Sequence, residues 1–335
     1  MNYSSEFKKD EPIFELNINN NNSDNIYSII QLKDKTIVAG LYNSKKVVFY
    51  DYSFKKLTEN KINTKGYVTC ICEVNNNRIA VGSYSPYNIV IYDISQKING
   101  VFKELATLEG HQNRINSIIE LNNNYLVSGG NENSYELFVW NTQNYKLQQK
   151  LNGHENYVNY IINLNKTNFF ASCGEDKKVI IWSNLSHWRT ISFYLSYKKI
   201  CNLESDTIVA VDSIRRIFVY YYENGSQLCK FSSIHSSEIN LVFCLKDNRI
   251  VITDSENVIS IYEPDKLKIS YYKFSYCRYN KSSVYALYET QNFHLLTCDS
   301  KGFINVWSPQ YYKYSNILNI NKEEEKNLKY LKILL

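Results

Sequence analysis

The sequence predicts an all-β chain of seven repeated units, each a four-stranded antiparallel sheet, and three observations carry that prediction. A five-residue apolar run ending in an aromatic residue recurs seven times: KVVFY to Tyr50, NIVIY to Tyr92, ELFVW to Trp140, KVIIW to Trp182, IFVYY to Tyr221, VISIY to Tyr262 and FINVW to Trp307. The copies lie roughly 39 to 48 residues apart, the period of propeller blades with loop insertions. Each copy is also preceded by the same two shorter apolar elements in the same order.

The first element opens each unit, with apolar residues three apart: Ile26, Ile29, Leu32; Val68, Ile71, Val74; Ile115, Ile118, Leu121; Val158, Ile161, Leu164; Tyr197, Ile200, Leu203; Ile239, Val242, Leu245; and, more weakly, Val284, Leu287, Thr290. A spacing of three suits a helix. These segments are only seven or eight residues long, rich in β-branched residues and followed by Asn, Lys or Asp clusters, which favours strands joined by tight turns. The second element is a β-rich run, TIVAG, RIAVG, YLVSG, FFASC, TIVAV, RIVIT or HLLTC. A fourth strand follows each aromatic terminus, as in YKLQQKLNG and KLKISYYKF. Four strands make one blade, and seven blades in a ring bury their faces on each other and leave only short edges. The expected architecture is therefore a seven-bladed β-propeller over 12–320, with an N-terminal tail at 1–11 and a short amphipathic C-terminal helix at 321–335. In that helix Leu328, Leu331 and Leu335 share one face, and Glu323, Glu324 and Glu325 lie near the N-terminus.

Composition narrows the function classes. The 335 residues carry 38 basic and 33 acidic side chains, a formal charge of +5 with the signs interspersed, so bulk charge gives no nucleic-acid footprint. The N-terminus lacks an apolar segment with a cleavage site, and no run of about eighteen uncharged apolar residues occurs. The expected place is the cytoplasm, with the nucleus as the alternative. Eight cysteines are scattered without a C-x-x-C pair, which reads as free thiols packed as small hydrophobes in a reducing compartment.

One stretch invites a catalytic reading. Residues 153–182, GHENYVNYIINLNKTNFFASCGEDKKVIIW, hold His154, Cys173 and Asp176, the residue types of a thiol hydrolase. Their setting argues otherwise, because the repeat units resemble the WD-repeat (WD40) β-propeller family. Gly110-His111 and Gly153-His154 match its glycine-histidine pair, and His235 occupies the same slot. Trp140, Trp182 and Trp307 keep its tryptophan, and the following aspartate survives as Asp51 and Asp93. The resemblance implies that His154, Ser172, Asp176 and Trp182 form a structural hydrogen-bond network, with Cys173 on the opposite side of its strand from Ser172. His111, Ser128 and Trp140 form a partial set lacking the aspartate, so the third blade is expected to be less tightly pinned. Two segments compete to complete the last blade, PIFELNI at 12–18 and YKYSNILNI at 312–320. The family's habit of sewing its ends together favours the first.

The same resemblance implies a partner-binding top rim, built from loops entering the first strand and loops joining the second and third. The matching positions are Lys65, Tyr67, Arg114, Tyr157, Glu175, Arg215, Arg216, Lys281 and Lys301. Aromatic and arginine side chains are typical interface anchors. The expected function is a non-catalytic scaffold that binds a protein or peptide partner on this rim and supports assembly of a multiprotein complex. No catalytic residue, cofactor, metal or small-molecule substrate is expected, and neither nucleic acid nor membrane lipid is the expected partner. The alternative is a phosphoinositide-binding membrane-surface adaptor. The stretch SIRRIF does place Arg215 beside Arg216, but no glycine follows as in the arginine-arginine-glycine motif of lipid-binding propellers.

Overall fold

Runs such as TIVAG are apolar without the in-out alternation of a half-buried strand, and the packing explains why: both faces of each sheet are covered. The computed structural model describes residues 14–17, 24–51, 56–75, 77–98, 101–121, 124–133, 135–192, 197–203, 206–212, 214–233, 235–264, 271–278 and 282–307. The expected tail at 1–11 and helix at 321–335 lie outside them. Among the described residues strand is the only regular secondary structure, twenty-eight strands in seven four-stranded antiparallel sheets.

Strand β1 (Phe14–Asn17) precedes the first blade, which is built from β2 (Ile26–Gln31), β3 (Ile37–Leu41), β4 (Lys46–Tyr50) and β5 (Lys56–Asn63) in that spatial order. The next five blades repeat the order, β6–β9, β10–β13, β14–β17, β18–β21 and β22–β25, within 67–278. The seventh departs from it. Strands β26 (Val284–Glu289), β27 (Leu295–Asp299) and β28 (Phe303–Trp307) take β1 as their fourth member, and Phe14 to Asn17 pair antiparallel with Val306 to Phe303. The N-terminal segment thus latches the ring.

The first strand of each blade is innermost. These are β2, β6 (Tyr67–Val74), β10 (Ile115–Leu121), β14 (Val158–Asn163), β18 (Tyr197–Leu203), β22 (Ile239–Cys244) and β26, and each touches the next around a closed circle. Seven apolar clusters lie at the seven blade-blade interfaces. Strand β3 sends Ile37, Ala39 and Leu41 against the seventh blade and Val38 against the second.

A β-bulge recurs near the start of every innermost strand. The pairing with the second strand slips by one residue at Tyr27, Thr69, Asn116, Asn159, the pair Lys198 and Lys199, Asn240 and Tyr285. A bulge breaks the ladder locally and re-aims a side chain.

One cysteine expectation is overturned. Cys201 and Cys244 form a disulfide between the innermost strands of blades five and six, with Cα atoms 5.7 Å apart. The repeat itself brings them together: Ile200 and Val242 are equivalent and 42 residues apart, and the two cysteines are separated by 43. Cys70, Cys72, Cys173, Cys229 and Cys298 are free.

Deleting residues 1–17 leaves β28 with a bare edge. At about 1 kcal/mol for each ladder hydrogen bond, the loss is about 2 kcal/mol or more, read as a lower midpoint in urea unfolding. An unchanged midpoint would show that the latch contributes nothing.

Candidate functional site

Two chemical settings compete for attention, the buried histidine networks and the upper rim. In blade four, His154 Nδ1 lies 2.7 Å from Asp176 Oδ2 and its Nε2 lies 2.7 Å from Ser172 Oγ, which also accepts a 2.8 Å bond from Trp182 Nε1. Donor chemistry orders the chain, because the indole can only donate and the carboxylate can only accept. Nδ1–H therefore donates to Asp176, and with the imidazole neutral the Ser172 hydroxyl donates to Nε2, an arrangement that satisfies every member.

This is the connectivity of a serine-hydrolase triad, yet substrate cannot reach it. Ser172 is 0% exposed, and the arrangement recurs. In blade three His111 bridges Glu132 Oε1 at 2.6 Å and Ser128 Oγ at 2.7 Å, and Trp140 Nε1 donates to Ser128 at 2.8 Å. In blade six His235 bridges Asp254 Oδ2 at 2.7 Å and Ser260 Oγ at 2.6 Å. Ser128 and Ser260 are as deeply buried as Ser172. Cys173 packs with Ile181 and Ile200 in the interface between blades four and five, and burial pushes its thiol far above the ordinary range. It is no nucleophile there.

The expectation of an incomplete set in blade three needs correcting. Glu132 follows Ser128 by four residues, as Asp176 follows Ser172, and it supplies the missing carboxylate. It also accepts bonds from the backbone N–H groups of Gln112 and Asn113. In blades five to seven a different device holds the same turn. Asp212, Asp254 and Asp299 end the second strand, and the Oδ1 of each accepts from two backbone N–H groups of the following turn. Their counterparts in blades three and four are Gly130 and Gly174, where a Cβ would fall 2.0 Å from the Arg114 carbonyl oxygen and 2.6 Å from that of Tyr157. Bare glycine there lets the loops carrying Arg114 and Tyr157 lie against the strand.

On the rim, the loops bring six tyrosines into an unbroken row over blades seven, one and two. Tyr285 stacks on Tyr27 with centroids 4.9 Å apart, Tyr27 meets Tyr42 edge-on at 5.1 Å, and Tyr42 stacks on Tyr67 at 4.9 Å. Tyr67 then meets Tyr84 at 6.2 Å, and Tyr84 meets Tyr87 at 5.6 Å. All six are half-buried, so each keeps part of its ring exposed to solvent. Two cations cap the row: the Arg114 guanidinium lies 5.0 Å from the Tyr27 ring centre and Lys45 Nζ lies 4.4 Å from that of Tyr67. Burial raises the Tyr27 hydroxyl and outweighs the lowering effect of Arg114.

The other rim positions fall differently. Tyr157 meets Tyr135 edge-on at 5.8 Å, and Glu175 accepts a 2.8 Å bond from Asn159 Nδ2. Lys65 and Lys301 are exposed, and Lys281 lies outside the described residues. Arg216 is held by Asp212 at 2.6 Å, and Arg215 donates to the Ser236 carbonyl, so the two arginines are engaged separately. Sequence reasoning missed Tyr27, Tyr42, Tyr84, Tyr87, Tyr285 and Lys45. A signal was present, since Gly40-Leu41-Tyr42 and Gly82-Ser83-Tyr84 end corresponding strands, and Ile26-Tyr27 and Val284-Tyr285 open corresponding ones. No group of three His, Cys, Asp or Glu is placed to hold a metal among the described residues.

The model for "WD domain, G-beta repeat" matches residues 102–140 and 145–183. Each match takes in the outer strand of one blade and three strands of the next, and these are the two units whose networks include tryptophan, histidine, serine and carboxylate. The crystal structure of the WD40 beta propeller domain of Doa1 is similar with a TM-score of 0.73, covering 90% of this chain and 98% of that one at 15% identity, a likeness of fold. No curated protein sequence matches the chain.

Burial opposes ionisation of Asp176 and Glu132, but the bonds from His154 and His111 and from backbone N–H groups prevail and hold both carboxyls below their usual range. A depressed carboxyl stabilises the fold above its unfolded pKa, near 4, and that contribution is lost as the pH falls through the lower folded value. Melting temperatures taken between pH 5 and pH 2 should therefore fall less steeply for Asp176→Asn and Glu132→Gln than for the wild type. His154→Ala and His111→Ala should each lose about 1 to 3 kcal/mol, measured by denaturant unfolding. Full stability of either alanine variant would remove the structural role.

Proposed function

We propose that this seven-bladed WD40-repeat propeller is a non-catalytic scaffold that holds a protein or peptide partner on its upper rim and thereby supports assembly of a larger complex. The observation that carries the reading is the row of six tyrosines from Tyr285 to Tyr87, half-buried and continuous across three blades. Tyrosine suits such a surface because it offers a large apolar face with a hydroxyl at its edge and loses little side-chain entropy on binding. The rings also brace each other, so the surface is organised before a partner arrives, which lowers the ordering cost of association.

Arg114 and Lys45 give the row a basic margin, and Lys65 and Lys301 stand exposed in the loops before β6 and β28. A partner with an extended, acidic contact segment fits this distribution of charge. The phosphoinositide alternative relied on Arg215 and Arg216 acting together. Arg216 is paired with Asp212, and no observation favours that reading.

The test is affinity capture from the native cell with the wild type and with Tyr42→Ala/Tyr67→Ala side by side, followed by titration of any protein that the variant fails to retain. The double variant should bind that partner at least about 2 kcal/mol more weakly, the scale of interface anchors, while keeping the circular dichroism of the parent. A folded double variant that retains the partner with unchanged affinity would exclude the tyrosine row.

A further inference from the structure

Below the tyrosine row, the innermost strands bring two cations toward each other without a counter-charge. Arg114 enters from the loop before β10 and lies across the ring of Tyr27, from blade one. Its Nε is buried and has no hydrogen-bond partner. Lys199 comes from the bulged start of β18, in blade five, and its Nζ lies 4.4 Å from the centre of the Tyr160 ring, on β14. Its side chain is half-buried. Among the described residues no carboxylate pairs with either cation. Two acidic residues line a small cleft between blades five and six, together with Lys199. Of these, Asp212 is held by Arg216 and by backbone N–H groups, and Glu238 is exposed.

Blades two to five all reach this point. Burial is the chief cause that lowers Lys199, to about 8, and the positive charge of Arg114 adds to it. Burial likewise raises Cys70, on β6, to about 12, against the opposing pull of Arg114 and Lys199. Arg114, Tyr160 and Lys199 stand at the heads of three consecutive innermost strands, β10, β14 and β18, which touch one another in turn. A buried cation that lacks a partner is costly, and the wall here supplies aromatic faces and thiols in place of a carboxylate. Arg114 keeps an unsatisfied buried donor, a cost that a hydrogen-bond acceptor placed beside it would remove.

We propose that the region between Arg114 and Lys199, at the heads of β10 and β18, is a receptor for one anionic group, a carboxylate or a phosphate ester, carried on an extended segment of the partner. The inference rests on the rim reading and makes it specific. The tyrosine row holds the segment, and the two cations receive its acidic side chain. An anion there completes the hydrogen bonding of Arg114 and neutralises charge in a site where screening by water is weak.

The test uses the full chain and four probes in isothermal titration: a hexaglutamate peptide, a pentapeptide with one phosphoserine flanked by alanines, inorganic phosphate, and a hexalysine peptide as the reverse-charge control. The expected result is saturable binding of at least one anionic peptide with a Kd of about 1 mM or tighter. That affinity should fall at least about tenfold in both Arg114→Gln and Lys199→Met, and fall with added sodium chloride. It should be unchanged in Lys61→Gln, an exposed lysine on the outer strand β5. Glutamate binding without phosphoserine binding assigns a carboxylate, and the reverse assigns a phosphate ester. Should Arg114→Gln fail to fold, Lys199→Met decides, since it replaces a buried charge by an apolar chain of similar length.

No saturable binding of either anionic peptide, binding of inorganic phosphate alone, or equal affinity in the folded variants would overturn the proposal. The rim reading fails separately: a partner lost by Tyr42→Ala/Tyr67→Ala while no anionic probe binds the wild type keeps that reading and removes this one.

Discussion

The contact between one blade and the next is the interaction on which everything else in this protein depends. Each of the seven apolar clusters is shared by two neighbouring sheets, and among the described residues no blade holds a core of its own. A four-stranded sheet with both faces apolar has no stable existence in water, so stability comes from nearest-neighbour stacking and is complete only when the ring closes. That requirement explains the unalternating apolar runs and the recruitment of β1 into the last sheet.

Polar networks sit inside this apolar frame and fix what the apolar contacts leave adjustable. A His-Ser-carboxylate chain specifies donor and acceptor at each atom, so it sets the position of the turn beside it with a precision that dispersion forces lack. Blades three and four use histidine from the entering loop with a bare glycine alongside, and blades five and seven use an aspartate in that glycine's place. Blade six combines both devices, with its serine moved one strand outward to Ser260, opposite Ile252 in the ladder. Different chemistry thus arrives at one backbone shape, and the loops that carry Arg114 and Tyr157 inherit their placement from it.

The repeat was legible in the sequence because each unit writes the same apolar signature, and strand order and blade number follow from it directly. His154, Ser172, Asp176 and Trp182 were readable because they lie within one unit at fixed offsets. Glu132 was passed over through attention to residue type in place of position. The tyrosine row was harder, because its members come from three units and the two stacked contacts that join them, Tyr285 on Tyr27 and Tyr42 on Tyr67, cross from one unit to the next. Their adjacency is a property of the closed circle, as is the Cys201–Cys244 disulfide, formed between residues about one period apart. The pairing of Arg216 with Asp212 was hidden for another reason: alternation separates Arg215 from Arg216, but only the turn geometry places a carboxylate beside one of them.

The recurrent bulge at the head of each innermost strand separates two tasks that a regular ladder would join. A residue within the ladder answers to its neighbours on both faces, and changing it disturbs an interface. The extra residue stands outside the ladder, and its identity varies: Tyr27 and Tyr285 in two blades, Thr69 in another, Asn116, Asn159 and Asn240 in three, and a lysine in blade five. The ring thus carries seven equivalent positions, at the same end of each innermost strand, where the side chain is set apart from strand pairing. Divergence in what such a protein recognises can then run ahead of divergence in its architecture.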